Sequence, residues 1–189
     1  ADAQPLARPR CPARSDDRRQ RYYQILNGEA DRLREMVETL LNFGRMEAGK
    51  AEYRFERLDA RALVRQVAAD FGDQLISRDR LVVDADGPPV HVSADREALS
   101  RALRNVVDNA AKYSPSSAPI HLAVEADDKA VRIHVRDEGP GIPAGEQKMI
   151  FTKFYRGAGA ASSGVKGTGL GLATVQYIVR AHHGDVLVE

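Results

Sequence analysis

The sequence predicts an α/β layer sandwich that is preceded by one long helix. Apolar residues at heptad spacing run over about 17–48, and beyond them short strand-like stretches are interleaved with helical patterns. The chain has 189 residues, which is enough for one substantial core and an appended element. We therefore predict a flexible tail over 1–16, a helix over 17–50 and one α/β domain over 51–189.

The overall composition excludes several classes of protein. The formal net charge is +1, which does not favour nucleic-acid binding, although the N-terminal segment is rich in arginine. Cys11 is the only cysteine, so the sequence offers neither a disulfide framework nor a cysteine metal cluster, and an intracellular setting fits. No apolar run approaches the ~20 residues of a membrane span, and the N-terminus has no signal-peptide pattern. We expect a cytoplasmic protein, with any membrane tether outside this sequence.

The long helix is amphipathic with a wide apolar face. Two heptad series run along it: Tyr23, Ala30, Val37 and Gly44 form one, and Leu26, Leu33 and Leu40 form the other. Five further apolar residues widen the face beyond a two-stranded seam: Ile25, Met36, Leu41, Phe43 and Met46. Such a helix needs several neighbours, so we expect a helical bundle and a second subunit, a homodimer through 17–48. Gly49 ends the helix.

The first half of the domain alternates short strands and helices. A short strand is predicted near Tyr53, and Asp59 can cap a helix that runs to about Ser77. Two short strands follow, and Asp95 then begins a further helix that is closed by Pro115.

The second half of the domain begins with a predicted β-hairpin. Residues 120–125 and 131–136 alternate apolar and polar side chains around a polar turn, so one face of the hairpin is expected to be buried. A loop-rich stretch follows over 139–168, then a helix over about 169–182, and finally a strand that starts at Asp185.

Three polar residues share one stripe of the helix that begins at Asp95. At about 100° per residue, Asn105, Asn109 and Lys112 fall together. The apolar stripe of the same helix consists of Leu99, Leu103, Val106 and Ala110. An amide oxygen is a good Mg²⁺ ligand, and a lysine is a good phosphate partner. The helix by itself favours an ordinary solvated face, but the glycine-rich stretches downstream favour a ligand-binding site.

An acidic, glycine-rich stretch follows the hairpin at 137–141, with the sequence Asp-Glu-Gly-Pro-Gly. Asp137 has the parity of the apolar strand residues, so we expect its carboxylate on the buried side, where the exocyclic amine of a purine would supply the donor that it needs. Gly139 and Gly141 would let the backbone approach a flat ring closely. The same residues are ordinary turn chemistry, so this stretch alone leaves both interpretations open.

A second glycine-rich stretch, Lys-Gly-Thr-Gly-Leu-Gly-Leu at 166–172, precedes an apolar helix. Backbone N–H groups in such a loop suit phosphate binding. The context excludes a dinucleotide fold, whose motif directly follows a strand, and a P-loop, whose Gly-Lys-Ser/Thr ending is missing. We interpret the aromatic and small residues over 151–164 as a flap in which Lys153 and Arg156 reach phosphates, with a flexible surface loop as the alternative.

These four motifs, in this order and spacing, resemble the ATP-binding catalytic domain of sensor histidine kinases, which shares its fold with gyrase, Hsp90 and MutL. The resemblance covers about Leu58–Glu189. The helix over 22–50, which ends Arg-Met-Glu-Ala-Gly-Lys, also resembles the second helix of that family's dimerisation and phosphoacceptor domain. The resemblance implies a mixed β-sheet backed by helices, the Bergerat-type ATP-binding fold, with ATP and Mg²⁺ as cofactors.

The resemblance also implies roles for individual residues. Asn109 would ligate Mg²⁺ with assistance from Asn105, and Lys112 and Arg156 would complete the catalytic set as cations near the phosphates. Asp137 would hydrogen-bond adenine. The implied nucleotide contacts are Asn109, Lys112, Tyr113, Asp137, Gly139, Gly141, Lys153, Gly167, Thr168, Gly169, Leu170 and Gly171.

The residue four positions before the Mg²⁺ asparagine distinguishes the ATPase members of this fold from the histidine kinases. Its ATPase members carry a glutamate four residues before the Mg²⁺ asparagine to activate water, whereas this chain has Asn105, which cannot act as a base. Phosphoryl transfer to an imidazole needs less help from a base, because the lone pair of a neutral nitrogen attacks phosphorus directly. The resemblance therefore implies a protein-histidine kinase of a two-component system, with a response regulator as its ultimate partner.

The chain departs from the family at the phosphoacceptor, which lies in a His-Glu/Asp-x-x-x-Pro setting on the family's first bundle helix. No histidine precedes His91. We interpret His91, His121, His134 and His182 as structural, since they lie in strand patterns and in a helix-ending turn. The acceptor is expected on a helix outside this sequence or on a partner domain in trans. The alternatives are a nucleotide-binding interaction module without catalysis and, less favoured by the charge, a DNA-binding protein.

Overall fold

The computed structural model describes residues 13–74, 80–157, 159 and 167–189. The helices are α1 (Ala13–Glu47), α2 (Ala60–Gln74), α3 (Arg96–Tyr113) and α4 (Gly171–Ala181). The strands are β1 (Glu56–Asp59), β2 (Leu81–Asp84), β3 (His91–Ala94), β4 (Ile120–Ala126) and β5 (Val131–Arg136). A 3₁₀ turn lies at Met149–Phe151. The chain divides into two compact units, with the boundary between Leu41 and Asn42.

The first unit is formed by α1 up to this boundary. The helix begins at Ala13, inside the stretch 1–16 that the sequence predicts as a tail, and residues 1–12 lie outside the described part of the chain. Its large apolar side chains are exposed: Tyr22, Tyr23, Ile25, Leu26, Leu33, Val37, Leu40 and Leu41. Among the helices that the structure describes, none has the length and apolar character to cross a membrane.

The second unit contains a mixed sheet, which confirms the predicted fold class. Strand β2 runs parallel to β4, with Val83 opposite Leu122, and β4 pairs with β5 in antiparallel fashion. Strands β1 and β3 form a separate antiparallel pair, in which Leu58 lies opposite Val92. The predicted hairpin is therefore formed by β4 and β5, with the inward residues of β4 buried.

The first and the last predicted strands differ from the structure, and the predicted end of α2 falls outside the described residues. The first strand forms at β1 rather than at Tyr53, whose ring instead packs on His182 with 5.3 Å between centroids. Helix α2 is described to Gln74, and residues 75–79 lie outside the described part of the chain. The strand predicted from Asp185 is wrong, since residues 184–189 form none. A strand needs a paired neighbour, and no described strand pairs with this stretch.

Helix α3 contributes to two hydrophobic cores. The first core packs α2 and α3 onto the three-stranded sheet and includes Val64, Val67, Leu103, Val107, Ile120 and Leu122. The second packs α3 against α4 and the last turn of α1 and includes Phe43, Met46, Ala98, Ala102, Leu170, Ala173 and Ile178. Each fully buried leucine or valine side chain contributes roughly 1.5–3 kcal/mol. This two-sided packing fixes the rotation of α3, and with it the direction of its polar residues.

The start of α3 is held by Asp95. Its Oδ1 accepts a hydrogen bond from Ala98 N at 2.8 Å and its Oδ2 accepts one from Arg54 N at 2.7 Å. Burial raises the pKa of Asp95, but these hydrogen bonds and the nearby His182 outweigh it and lower that pKa. His182 Nε2 accepts from Asp95 N at 2.9 Å, and Nδ1 lies 2.7 Å from the Ile178 carbonyl. The structural role predicted for His182 is confirmed.

Candidate functional site

The polar stripe of α3 lies beside the start of α4. Asn105 and Asn109 are half-buried, and Lys112 is exposed and forms an ion pair with Asp108. A methyl group placed on Gly171, the first residue of α4, would lie 3.8 Å from Asn105 Oδ1. Neither asparagine amide hydrogen-bonds to another described residue. The helix thus presents two carboxamides that have no hydrogen-bond partner among the described residues, and that of Asn105 lies next to the start of α4.

These carboxamides could hold a cation in only one way. Within the described ranges, no group of three or more His, Cys, Asp and Glu residues could hold a metal ion. Mg²⁺ prefers oxygen ligands and keeps several waters, and protein sites for it commonly combine one or two side chains with substrate phosphates. The residues therefore fit a Mg²⁺ ion that is bound together with phosphate, with Asn109 and Asn105 as its amide ligands.

The glycine-rich loop forms the entry to α4. Thr168 Oγ1 accepts a hydrogen bond from Leu170 N at 3.3 Å, and Gly167 and Thr168 are exposed. The Leu170 side chain is 2% exposed and belongs to the second core, so only its backbone can reach a ligand. The first N–H groups of a helix have no intrahelical partner and attract anions. The start of α4 can therefore accept phosphate beside the α3 stripe. Lys166 lies outside the described residues.

The described part of the predicted flap contacts the glycine-rich loop through Phe154 and Gly169, and its residues 158 and 160–164 lie outside the described part of the chain. Phe154 N donates to the Gly169 carbonyl at 2.9 Å, and both residues have positive φ, +63° and +70°. A methyl group on Gly169 would lie 2.7 Å from the Phe154 carbonyl carbon, so only glycine fits here. Phe154 is 59% exposed and has a backbone conformation that is strained for a phenylalanine. Strain of this kind is typical of functional segments.

The acidic stretch after β5 meets the end of α3. Asp137 is exposed, so the prediction that its carboxylate is buried is wrong, because β5 ends at Arg136 and strand parity does not extend to it. Its Oδ1 accepts from Gly139 N at 2.7 Å and from Ser114 Oγ at 3.1 Å. A methyl group on Gly139 would lie 2.7 Å from this oxygen and 3.3 Å from the Tyr113 carbonyl.

Gly141 has a φ of +72°, which explains the second glycine of the acidic stretch by its backbone conformation. Ser114, whose hydroxyl contacts Asp137, has no role in the sequence predictions. Its signal was its position, directly after the Lys-Tyr pair at 112–113 that ends the polar helix.

The two cations predicted for the flap have different surroundings. Lys153 Nζ forms an ion pair with Glu47 Oε1 at 2.6 Å, and this hydrogen bond raises the pKa of Lys153. Arg156 is exposed. Burial and the neighbouring Glu146 carboxylate raise the pKa of Tyr155. The structure therefore places Lys153 at the end of α1, a contact that nothing in the local sequence around either residue could indicate.

Residues 94–189 match the family described as histidine kinase-, DNA gyrase B- and HSP90-like ATPase. The match covers half of the chain, and the mixed sheet, the α3 stripe and the two glycine-rich stretches all lie in or next to this range. The chain belongs to this family.

Curated relatives and solved structures agree with this assignment. The sensor histidine kinase TmoS of Ectopseudomonas mendocina is 33% identical over 88% of this chain and 17% of its own length, and MtrB of Mycobacterium leprae is 32% identical over 87% and 29%. The Acinetobacter baumannii histidine kinase AdeS superposes with a TM-score of 0.66 at 28% identity, covering 84% of this chain and 72% of that one. ShkA in complex with AMPPNP superposes with a TM-score of 0.70 at 28% identity, covering 86% and 34%. The chain spans less than a third of the length of these curated relatives.

Proposed function

We propose that this chain is the ATP-binding catalytic module of a two-component sensor histidine kinase, which transfers the γ-phosphate of Mg·ATP to a histidine outside this sequence. The observation that carries the proposal is the Asn105 carboxamide beside the start of α4 at Gly171, with the Asn109 carboxamide one helical turn further along α3. The family assignment and the histidine kinases among the relatives support it.

The nucleotide would lie between α3, the acidic stretch and the start of α4. Asp137 would accept a hydrogen bond from the adenine amine, next to the tight turn at Gly139. The backbone N–H groups of 167–171 would receive the phosphates. Lys112 and Arg156 would neutralise phosphate charge, Tyr113 would contact the sugar, and Lys153 would join the lid contacts when its pair with Glu47 opens.

The chemical step needs little from the protein beyond position and charge. The lone pair of the acceptor imidazole nitrogen would form the new N–P bond while the bond from the γ-phosphorus to the bridging oxygen of ADP breaks. Bound Mg²⁺ supplies neutralisation of the phosphate charge. Asn105 stands where the hydrolases of this fold need a base, so the chain would not activate water for attack.

The proposal places the acceptor histidine outside this sequence. No histidine precedes His91, and His182 is engaged with Asp95. This supports an acceptor on a separate histidine-bearing domain or on a helix outside this sequence. The same observation favours the second candidate, a nucleotide-binding regulatory module that binds ATP and transfers nothing. A response regulator would be the final partner in the first case.

The apolar face of α1 supports a homodimer. Eight large apolar side chains of the first unit are exposed, from Tyr22 to Leu41. A helix with such a face is stable in a bundle and not alone in water. Analytical ultracentrifugation should find a dimer that Leu33→Glu dissociates, and identical monomeric behaviour of both proteins would refute this part.

The kinase proposal is tested by incubation with γ-labelled ATP, with and without a separate histidine phosphotransfer domain. We expect acid-labile label on the added domain only. The matched control is Asn109→Ala, which should transfer none. ATP binding without transfer to any supplied histidine domain would support the regulatory module instead. Absence of ATP binding would refute both candidates.

A further inference from the structure

Ser114 lies at the junction of α3 and the acidic stretch. It is the residue after the helix, its backbone N–H donates to the Ala110 carbonyl at 3.1 Å, and it is only 9% exposed. Its hydroxyl donates to Asp137 Oδ1 at 3.1 Å. A buried hydroxyl thus reaches out from the end of a rigid helix to an exposed carboxylate on a loop.

The two carboxylate oxygens of Asp137 differ in their hydrogen bonds. Oδ1 accepts from the Ser114 hydroxyl and, at 2.7 Å, from Gly139 N. Oδ2 has no hydrogen-bond partner among the described residues. Two fixed donors therefore hold one oxygen and leave the other as an acceptor with a defined direction.

We propose that Ser114 is a positioning residue that fixes the Asp137 carboxylate and thereby sets the selectivity of the site for an adenine over a guanine base. The inference rests on the proposed role of Asp137 toward adenine. Asp137 is exposed, and without Ser114 its carboxylate keeps only the donor of Gly139, which lies two residues away on the same loop. Ser114 donates from a helix that two cores hold in place.

The chemical basis of the selectivity is a difference between the two bases. Adenine presents an amine donor to a carboxylate, whereas guanine presents a carbonyl acceptor at the same position and is repelled. If Asp137 loses its orientation, the affinity for adenine falls, and the repulsion that weakens guanine binding is partly lost. Substitution of Ser114 should therefore lower the ratio of the two affinities, which a purely structural change at a helix end would not do.

The test is a calorimetric titration of the whole chain with ADP and with GDP. We expect Ser114→Ala to weaken ADP binding about three- to tenfold, the range for one ordinary hydrogen bond, while GDP binding stays equal or improves. Ser114→Thr keeps the hydroxyl and should restore the ratio. Ser116→Ala is the matched control, since this exposed serine lies in the following turn and forms no hydrogen bond with Asp137 in the described structure.

Thermal unfolding of each variant accompanies the titrations, and Ser114→Thr carries the test if Ser114→Ala does not fold. An unchanged ADP-to-GDP ratio in folded Ser114→Ala would overturn the inference, as would a ratio in Ser114→Thr as low as that of Asp137→Asn. Asp137→Asn separates this failure from that of the proposed function. If Asp137→Asn also leaves the ratio unchanged, the adenine site itself is misassigned.

Discussion

Lys153 Nζ lies 2.6 Å from Glu47 Oε1, so an ion pair joins the flap to the last residue of α1 across 106 positions of sequence. The hydrogen bond to Glu47 raises the pKa of Lys153, which therefore stays cationic at neutral pH. The same lysine is predicted to reach nucleotide phosphate. A move toward phosphate would draw its ammonium group away from Glu47, so the end of α1 would compete with the nucleotide for this cation.

Substitution of Glu47 should remove its competition with nucleotide phosphate for Lys153. We expect Glu47→Gln to tighten Mg·ATP binding a few-fold at low salt, and the gain should shrink at high salt because exposed charges are screened. Calorimetric titration at two ionic strengths measures both effects. Glu52→Gln is the matched control, since this exposed glutamate has no ion pair among the described residues. Equal affinities of wild type and Glu47→Gln at low salt would count against the competition.

Gly169 should tolerate no side chain. Its φ of +70° costs a residue with a Cβ about 1–2 kcal/mol, and a methyl group would also meet the Phe154 backbone at 2.7 Å. We expect Gly169→Ala to lower the unfolding temperature and to reduce ATP binding more than tenfold, because loop and flap are displaced together.

Gly167→Ala provides the control for this prediction. A methyl group on Gly167 would meet no described atom within 4 Å. It should unfold like the wild type. Similar decreases in unfolding temperature and ATP affinity in the two variants would mean that any substitution in the loop is harmful, and that the contact with Phe154 is not the cause.

Most of the fold could be predicted from the sequence, because its elements are local. The hairpin follows from period-two alternation and α3 from its cap at Asp95 and its apolar stripe. The strand expected from Asp185 failed for a non-local reason: pairing needs a neighbour, which residue patterns cannot supply. The prediction that Asp137 is buried was wrong because strand parity was extended one residue past the end of β5.

The candidate site was predictable only in its motifs. Asn105, Asn109 and the glycine-rich loop carry recognisable spacing, and the structure brings Asn105 to Gly171. Ser114 and Glu47 were missed, since each acts through a contact with a residue distant in sequence. Such contacts depend on the packing of α3 and α4 and on the path of the flap, which no local pattern encodes.

Asp127 should make stability depend on pH in the acid range. Hydrogen bonds from Arg132, Lys129 N and Ala130 N lower its pKa from 3.8 to about 2. A carboxyl with a lowered folded-state pKa stabilises the protein above its unfolded pKa, and this contribution is lost as pH falls toward about 2. Asp127→Asn should therefore be less stable than the wild type at neutral pH, with a difference that closes between about pH 4 and 2.

Urea unfolding across this pH range measures the difference, with Asp128→Asn as the neighbouring control. A difference between Asp127→Asn and wild type that stays constant from neutral pH to about pH 2 would show that the ionised carboxylate is not its cause.

The central claim is that the α3 stripe binds Mg·ATP, and the most direct measurement is calorimetric titration of ATP with and without Mg²⁺ into wild type and Asn109→Ala. We expect Mg²⁺-dependent binding by the wild type and none by the variant, because Asn109 is the amide ligand that we propose for Mg²⁺. Asn42→Ala is a control in an asparagine away from the stripe. Equal Mg·ATP affinities of wild type and Asn109→Ala would contradict the assignment of the site.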